Sequence, residues 1–193
     1  MGKTAKQLAA HLVRTWEQYR EYAYPDPASP LYRATAGRRW GFEPAQQILE
    51  ELPPNLAALR GDPWTVGYGE TGRFIGPATR WSEDVAEANL DVRLVEFQIG
   101  VRRLVKVPMA PHEEAALISF AYNVGLDIDA DTIAEGLGDS TLLRLFNAGD
   151  KRGAAEHFGR WINAGGKPLE GLRRRRMEER AMFLGTHREL QRT

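Results

Sequence analysis

The stretch Trp64-Thr65-Val66-Gly67-Tyr68-Gly69 decides the fold class, because it carries the one convincing strand pattern of the chain. Thr71-Gly72 follows as a turn, and Arg73-Phe74-Ile75 predicts a return strand. Glycine weakens a strand interior, so Gly67 and Gly69 point to close approach by a ligand or by backbone. Outward from this hairpin the chain reads as helix. On its N-terminal side, Leu8, Leu12, Trp16 and Tyr19 share one helical face between Thr4 and Tyr22, and Pro25-Asp26-Pro27 breaks the pattern. Pro44 to Leu52 predicts a short helix closed by Pro53-Pro54.

On its C-terminal side, Ser82 predicts the N-cap of a long helix to about Val105, with Val85, Ala88, Val92, Val95 and Ile99 as its apolar stripe. Pro111 opens a helix to Val124 that is apolar on most sides, the mark of a central position. Ser140 and Asp150 cap two more helices, the second running to Gly165-Gly166, and a last helix spans Leu169 to Leu184. Read from its residues alone, the chain is helical with one small hairpin near its N-terminal third.

The 193 residues suit one such domain, and 42% hydrophobic with 27% charged residues is an ordinary globular balance. Formal net charge is zero, but residues 151–193 hold 11 Lys or Arg against 5 Asp or Glu. That basic end fits an anionic polymer or a solvated helix surface. The absence of cysteine excludes disulfides and cysteine-held zinc. His11, His112, His157 and His187 lack metal-ligand spacing, so no metal or cofactor is expected. The Arg173–Arg176 run shares its helix with Glu170, Glu178 and Glu179 and gives no reason to expect nucleic acid. Arg14 and Glu17 interrupt the first amphipathic segment, which therefore reads as neither signal peptide nor membrane anchor.

Taken singly, the candidate residues read blandly. Glu17 is a glutamate near a helix end, Asp26 a turn former between prolines, and Thr65 a β-branched residue at home in a strand. Together they form a pattern. Trp16-Glu17, Arg20, Ala23-Tyr24-Pro25-Asp26 and Trp64 to Gly69 resemble the active-site signature of the phage lysozymes, glycoside hydrolase family 24. The resemblance continues in Ala116 to Gly125, Ser140 to Leu143, Asn147 to Asp150, Trp161 to Lys167, Gly171-Leu172, Arg175-Arg176 and Glu179-Arg180, and covers nearly the whole chain except residues 28–61.

That resemblance implies an α+β, mostly helical, lysozyme-like fold with a small β-hairpin lobe and a larger helical lobe, in a single catalytic domain over 1–193. The small lobe covers about 23–80, including an insertion at about 28–61, and the helical lobe covers 1–22 with 81–193. A groove between the lobes would hold the substrate. It implies Glu17 as general acid, Asp26 as the second carboxylate and Thr65 as the residue that holds water. Tyr68, Gly69, Tyr122 and Asn123 match substrate-binding positions, although Tyr122 also suits core packing and Asn123 helix capping. Arg175 matches a supporting arginine that pairs with the acid. The implied reaction is hydrolysis of the β-1,4 bond between N-acetylmuramic acid and N-acetylglucosamine in peptidoglycan, causing host lysis. A lytic transglycosylase on the same fold and an inactive wall-binding virion module are the alternatives. The implied enzyme is a monomer without stable membrane insertion that waits in the host cytoplasm for a holin-like permeabiliser.

Two departures from the family pattern matter. The insertion separates Asp26 from Thr65 by 38 residues, so Asp62 competes with Asp26 as the family aspartate. Glu70 stands where a histidine is usual. The insertion carries Tyr32, Arg38, Arg39, Trp40 and Phe42, and it either walls the substrate groove or packs on itself. Asp26 has the family distance from Glu17, and the intact Ala23-Tyr24-Pro25-Asp26 context favours it. Asp26→Asn is therefore expected to slow cell-wall lysis severely and Asp62→Asn to leave it nearly intact, as read in a turbidity assay on permeabilised Gram-negative cells. The reverse order would reassign the aspartate.

Overall fold

The computed structural model describes residues 2–128 and 136–191. The chain divides into two compact units, residues 1–16 with 91–193, and residues 17–90.

The first unit is helical. Helix α1 (Ala5–Glu17) buries Leu8, Ala9, Leu12 and Val13. It stops earlier than its sequence periodicity predicts, because Gln18 takes a left-handed φ of 53°. A side chain with a Cβ is strained there, at a cost of about 1–2 kcal/mol. Tyr19 therefore leaves the helix, and the chain turns at once into strand β1 (Arg20–Pro25) of the second unit.

The expected long helix is present as α5 (Glu83–Leu104), but its buried face is not the expected one. Val85, Val92, Val95 and Ile99 are exposed, while Ala86, Leu90, Leu94, Phe97 and Val101 are buried. Both stripes keep the helical period, so periodicity alone could not choose between them. The buried stripe holds the bulkier leucines and phenylalanine, which remove more apolar area from water.

Helix α6 (Pro111–Val124) is the buried central helix its composition predicts, and at its start the Glu113 carboxylate accepts the Ala110 N–H at 2.8 Å. It packs against α9 (Glu170–Phe183), and α7 (Thr141–Asn147) packs against α8 (Lys151–His157). Ser140 and Asp150 cap α7 and α8 as expected, their side chains accepting the N–H groups of Leu143 and Gly153. Phe120, Phe146, Phe158 and Phe183 pack edge-on or tilted, with ring centroids 5.2–5.5 Å apart. Gly165-Gly166 does not end a long helix. Helix α8 stops at His157, and a second hairpin pairs β4 (Asn163–Ala164) with β5 (Lys167–Pro168). Both glycines have positive φ, 57° and 76°, which is what a two-residue hairpin turn requires.

The second unit is built on a three-stranded antiparallel sheet in the order β1, β2 (Trp64–Gly67), β3 (Glu70–Thr71). The strand pattern at Trp64 was legible, but the predicted return strand at Arg73-Phe74-Ile75 is absent and Phe74 is 83% exposed. The chain reverses earlier, at Tyr68-Gly69, where Gly69 has φ 92°. The insertion forms three short helices, α2 (Pro30–Ala34), α3 (Ala45–Glu51) and α4 (Pro54–Ala57). Leu31, Trp40, Ala45, Ile48 and Leu52 from the insertion share one hydrophobic cluster with Ala23, Trp64 and Val66 of the sheet.

The corrected face of α5 is directly testable. Leu94→Ala is expected to lose about 2–5 kcal/mol of unfolding free energy and Val92→Ala less than about 0.5 kcal/mol. Equal losses in denaturant melts would show that the assignment of the buried face is wrong.

Candidate active site

Glu17 closes α1, and the left-handed Gln18 behind it fixes the point at which its carboxylate leaves the helix. The strand that follows puts Arg20, Tyr22 and Tyr24 on alternate positions and buries Ala23 between them. β1 pairs with β2 so that Tyr24 faces Thr65 and Pro25 faces Trp64. Thr65 is buried, and its hydroxyl hydrogen-bonds the Tyr24 phenol. Burial pushes the Tyr24 phenol up, and the nearby negative charge of Glu17 pushes it the same way. Tyr24 thus stands electrostatically coupled to Glu17 while touching Thr65.

Asp26 follows β1. Its N–H is shared between the carbonyls of Gly61 and Pro63, both at 3.0 Å, and its carboxylate accepts the Ala28 N–H at 2.5 Å. The turn-forming role of an aspartate between prolines is therefore real here. The other aspartate of the comparison, Asp62, lies between the two carbonyls that hold Asp26 and is exposed. Both candidates stand at the neck of the insertion.

An open pocket of about 470 Å³ lies within this unit. Glu17, Arg20, Tyr24 and Pro27 line it from the strand side, and Tyr32, Arg38, Arg39, Trp40 and Phe42 from the insertion. That volume is in the range of small-ligand sites. Asp26 neighbours Pro27 along the chain, and Thr65 reaches the lining through Tyr24. Gly41 seats the insertion on the strand. Its carbonyl accepts the Tyr22 N–H at 3.3 Å, and a Cβ at this position would lie 2.7 Å from the Arg20 side chain.

The remaining candidates are placed as follows. Tyr68 is buried, donates its hydroxyl to Glu87 at 2.8 Å and packs on Tyr19 at 5.9 Å. Gly69 is in the turn, and Glu70 stands opposite Val66 in β3. In the helical unit, Tyr122 packs on Phe97 at 5.2 Å, and Asn123 accepts a hydrogen bond from Arg176 at 3.1 Å. Arg175 is buried and donates to Glu179 at 3.1 Å and to the Ser119 carbonyl at 3.2 Å. Arg20 and Tyr24 line the pocket; the sequence placed both in the active-site signature but gave neither a role of its own. The signal was present in Arg20-Glu21-Tyr22-Ala23-Tyr24, whose alternation is that of a strand, but extending the first helix to Tyr22 concealed it.

The sequence profile of the phage lysozymes matches residues 49–179. The chain belongs to the phage lysozyme family. An endolysin of Bacillus phage B103 is 42% identical over 121 residues, which cover 63% of this chain and 43% of that protein. A SAR-endolysin of bacteriophage PS119 is 38% identical over 120 residues, covering 62% of this chain and 67% of its own length. The chain thus spans less than half of the Bacillus phage protein. The muramidase domain of SpmX from Asticaccaulis excentricus has the same fold, with a TM-score of 0.65 over 95% of this chain and 99% of that one at 24% identity. The lysozyme-like fold expected from the sequence is therefore present. Among the described residues, no cluster of three or more His, Asp or Glu could hold a metal ion, and no helix is long and apolar enough to cross a membrane.

Proposed function

We propose that this chain is a lysozyme of the endolysin type, which hydrolyses the β-1,4 bond between N-acetylmuramic acid and N-acetylglucosamine in peptidoglycan and so lyses the host cell. The observation that carries this reading is the position of Glu17 at the rim of a pocket walled by aromatic rings, in a chain of the phage lysozyme family. Sugar rings have apolar faces that stack on aromatic side chains, and Tyr24, Tyr32, Trp40 and Phe42 supply such surfaces beside a carboxyl group.

In this reading Glu17 donates its proton to the glycosidic oxygen as the bond breaks, and positive charge develops on the sugar ring. Asp26 acts from the opposite face, stabilising that charge or activating water, and Thr65 holds the water. One oxygen of Asp26 already accepts the Ala28 N–H, which fixes the direction of the carboxylate. Tyr68, Gly69, Tyr122 and Asn123 are proposed substrate contacts, and Arg175 a supporting residue. The two units work as one catalytic domain that acts as a monomer on the glycan strand. A holin-like permeabiliser supplies the route from the cytoplasm to the wall.

Glu17→Gln keeps the size of the side chain but cannot donate the proton. Loss of the general acid is expected to lower the rate of wall solubilisation by about 10²–10⁴-fold with little change in thermal stability. A rate near that of the parent in this variant would remove Glu17 from the mechanism.

A further inference from the structure

The pocket holds more positive charge than glycosidic cleavage needs. The bond and the two sugar rings it joins are neutral, and one carboxyl group with its partner performs the chemistry. Yet Arg20, Arg38 and Arg39 line the same space as Glu17. We propose that these three arginines form a subsite for a carboxylate carried by the muramic acid residue, so that the insertion selects glycan by its acidic substituent. This rests on the peptidoglycan reading above.

The arrangement is suited to an anion. The Arg20 guanidinium lies 4.2 Å from the centre of the Phe42 ring and that of Arg39 lies 6.0 Å from it, so two cations share one ring. That ring is 54% exposed and open to a ligand. Each guanidinium adds to the positive potential beside that ring, which favours a bound anion. The planar guanidinium fork also matches the two oxygens of a carboxylate.

The partners these arginines now have are replaceable. Arg38 pairs with Glu51 at 3.2 Å and Arg39 with Glu43 at 3.4 Å, and all four side chains are well exposed. Such surface pairs are worth about 0–1 kcal/mol, so a substrate carboxylate can take their place at small cost. Arg20 is held differently. Its guanidinium donates to the Gln18 side chain at 3.2 Å, and Gly41 brings the insertion backbone against its aliphatic stem. One arginine is thus preset by the sheet, and two reach in from the insertion.

A muramic acid residue bears carboxylates from two sources. One is the stem peptide, and the other is the lactyl group that is left free when the peptide has been removed. Both present the same chemistry to the arginines, and the experiment separates them.

Binding is measured by co-sedimentation with insoluble peptidoglycan sacculi, using the full chain carrying Glu17→Gln so that the wall is not consumed. Adding Arg38→Ala and Arg39→Ala is expected to weaken binding by about tenfold or more, with the melting temperature unchanged because both side chains are exposed. Sacculi whose carboxylates have been converted to amides should bind the parent as weakly as they bind the double variant. Soluble strands stripped of peptide serve as competitors. If they displace the parent as well as peptide-bearing strands do, the subsite takes either carboxylate; if they displace it better, the lactyl carboxylate is the ligand, and if they displace it worse, the stem peptide is. Equal affinity of parent and double variant for untreated sacculi would overturn the proposal. So would a loss on mutation that persists undiminished on amidated sacculi. If Glu17 is not the proton donor, the Glu17→Gln chain releases soluble fragments from the sacculi, and that release marks failure of the catalytic reading separately from the comparison of parent with double variant.

Discussion

The candidate site depends on one closure. The N–H of Asp26 is shared by the carbonyls of Gly61 and Pro63, and at this point the insertion both leaves and rejoins the sheet. The two ends are held again by the pairing of Pro25 with Trp64 and of Tyr24 with Thr65. A single hydrogen bond of this kind is worth about 1 kcal/mol, so the closure is secured by what packs behind it. Leu31, Ile48 and Trp40 are almost fully buried against Ala23, Trp64 and Val66, and burying each large apolar side chain contributes about 1.5–3 kcal/mol. With its neck tied, the insertion cannot drift from β1, and its arginines and aromatics stay in the pocket that Glu17 lines.

The same closure explains how a chain with a long excursion between its two family motifs keeps them together. Thr65 meets Tyr24 across the strands whatever lies between Asp26 and Gly61, because register is set by the pairing of β1 with β2. The excursion is a self-supporting piece of small helices that shares the core of the sheet. The two readings of the insertion drawn from sequence are therefore not exclusive. It packs on the sheet through Leu31, Ile48 and Leu52, and it presents Arg38, Arg39 and Phe42 to the pocket.

Much of this was legible in the sequence. Pro111, Ser140 and Asp150 marked helix starts because their chemistry acts locally, on an orphan N–H or a fixed φ, and all three were read correctly. The errors arose where two local readings were equally good and tertiary packing chose between them. α5 carries two apolar stripes of one period, and only its neighbours determine that Leu90 and Leu94 turn inward. Tyr19 to Tyr22 fits a helix by period, yet these residues follow the left-handed Gln18 into a sheet, and pairing with β2 outweighs helical propensity. Gly165-Gly166 is compatible with a helix end or a hairpin turn, and nothing nearby distinguishes them. Of the site, Glu17, Asp26 and Thr65 stood out as a spaced set. Tyr24 and Arg20 entered only as members of the signature without roles of their own, because the strand is what places them beside Glu17 and the insertion.

In the proposed reaction Glu17 protonates a glycosidic oxygen, and water, not an internal hydroxyl, completes the reaction on the muramic acid side of the bond. The most direct test is mass spectrometry of the soluble fragments released from purified peptidoglycan in oxygen-18 water. Hydrolysis by this route releases fragments that end in reducing N-acetylmuramic acid carrying one heavy oxygen. Fragments ending in anhydromuramic acid without label, or in reducing N-acetylglucosamine, would contradict it.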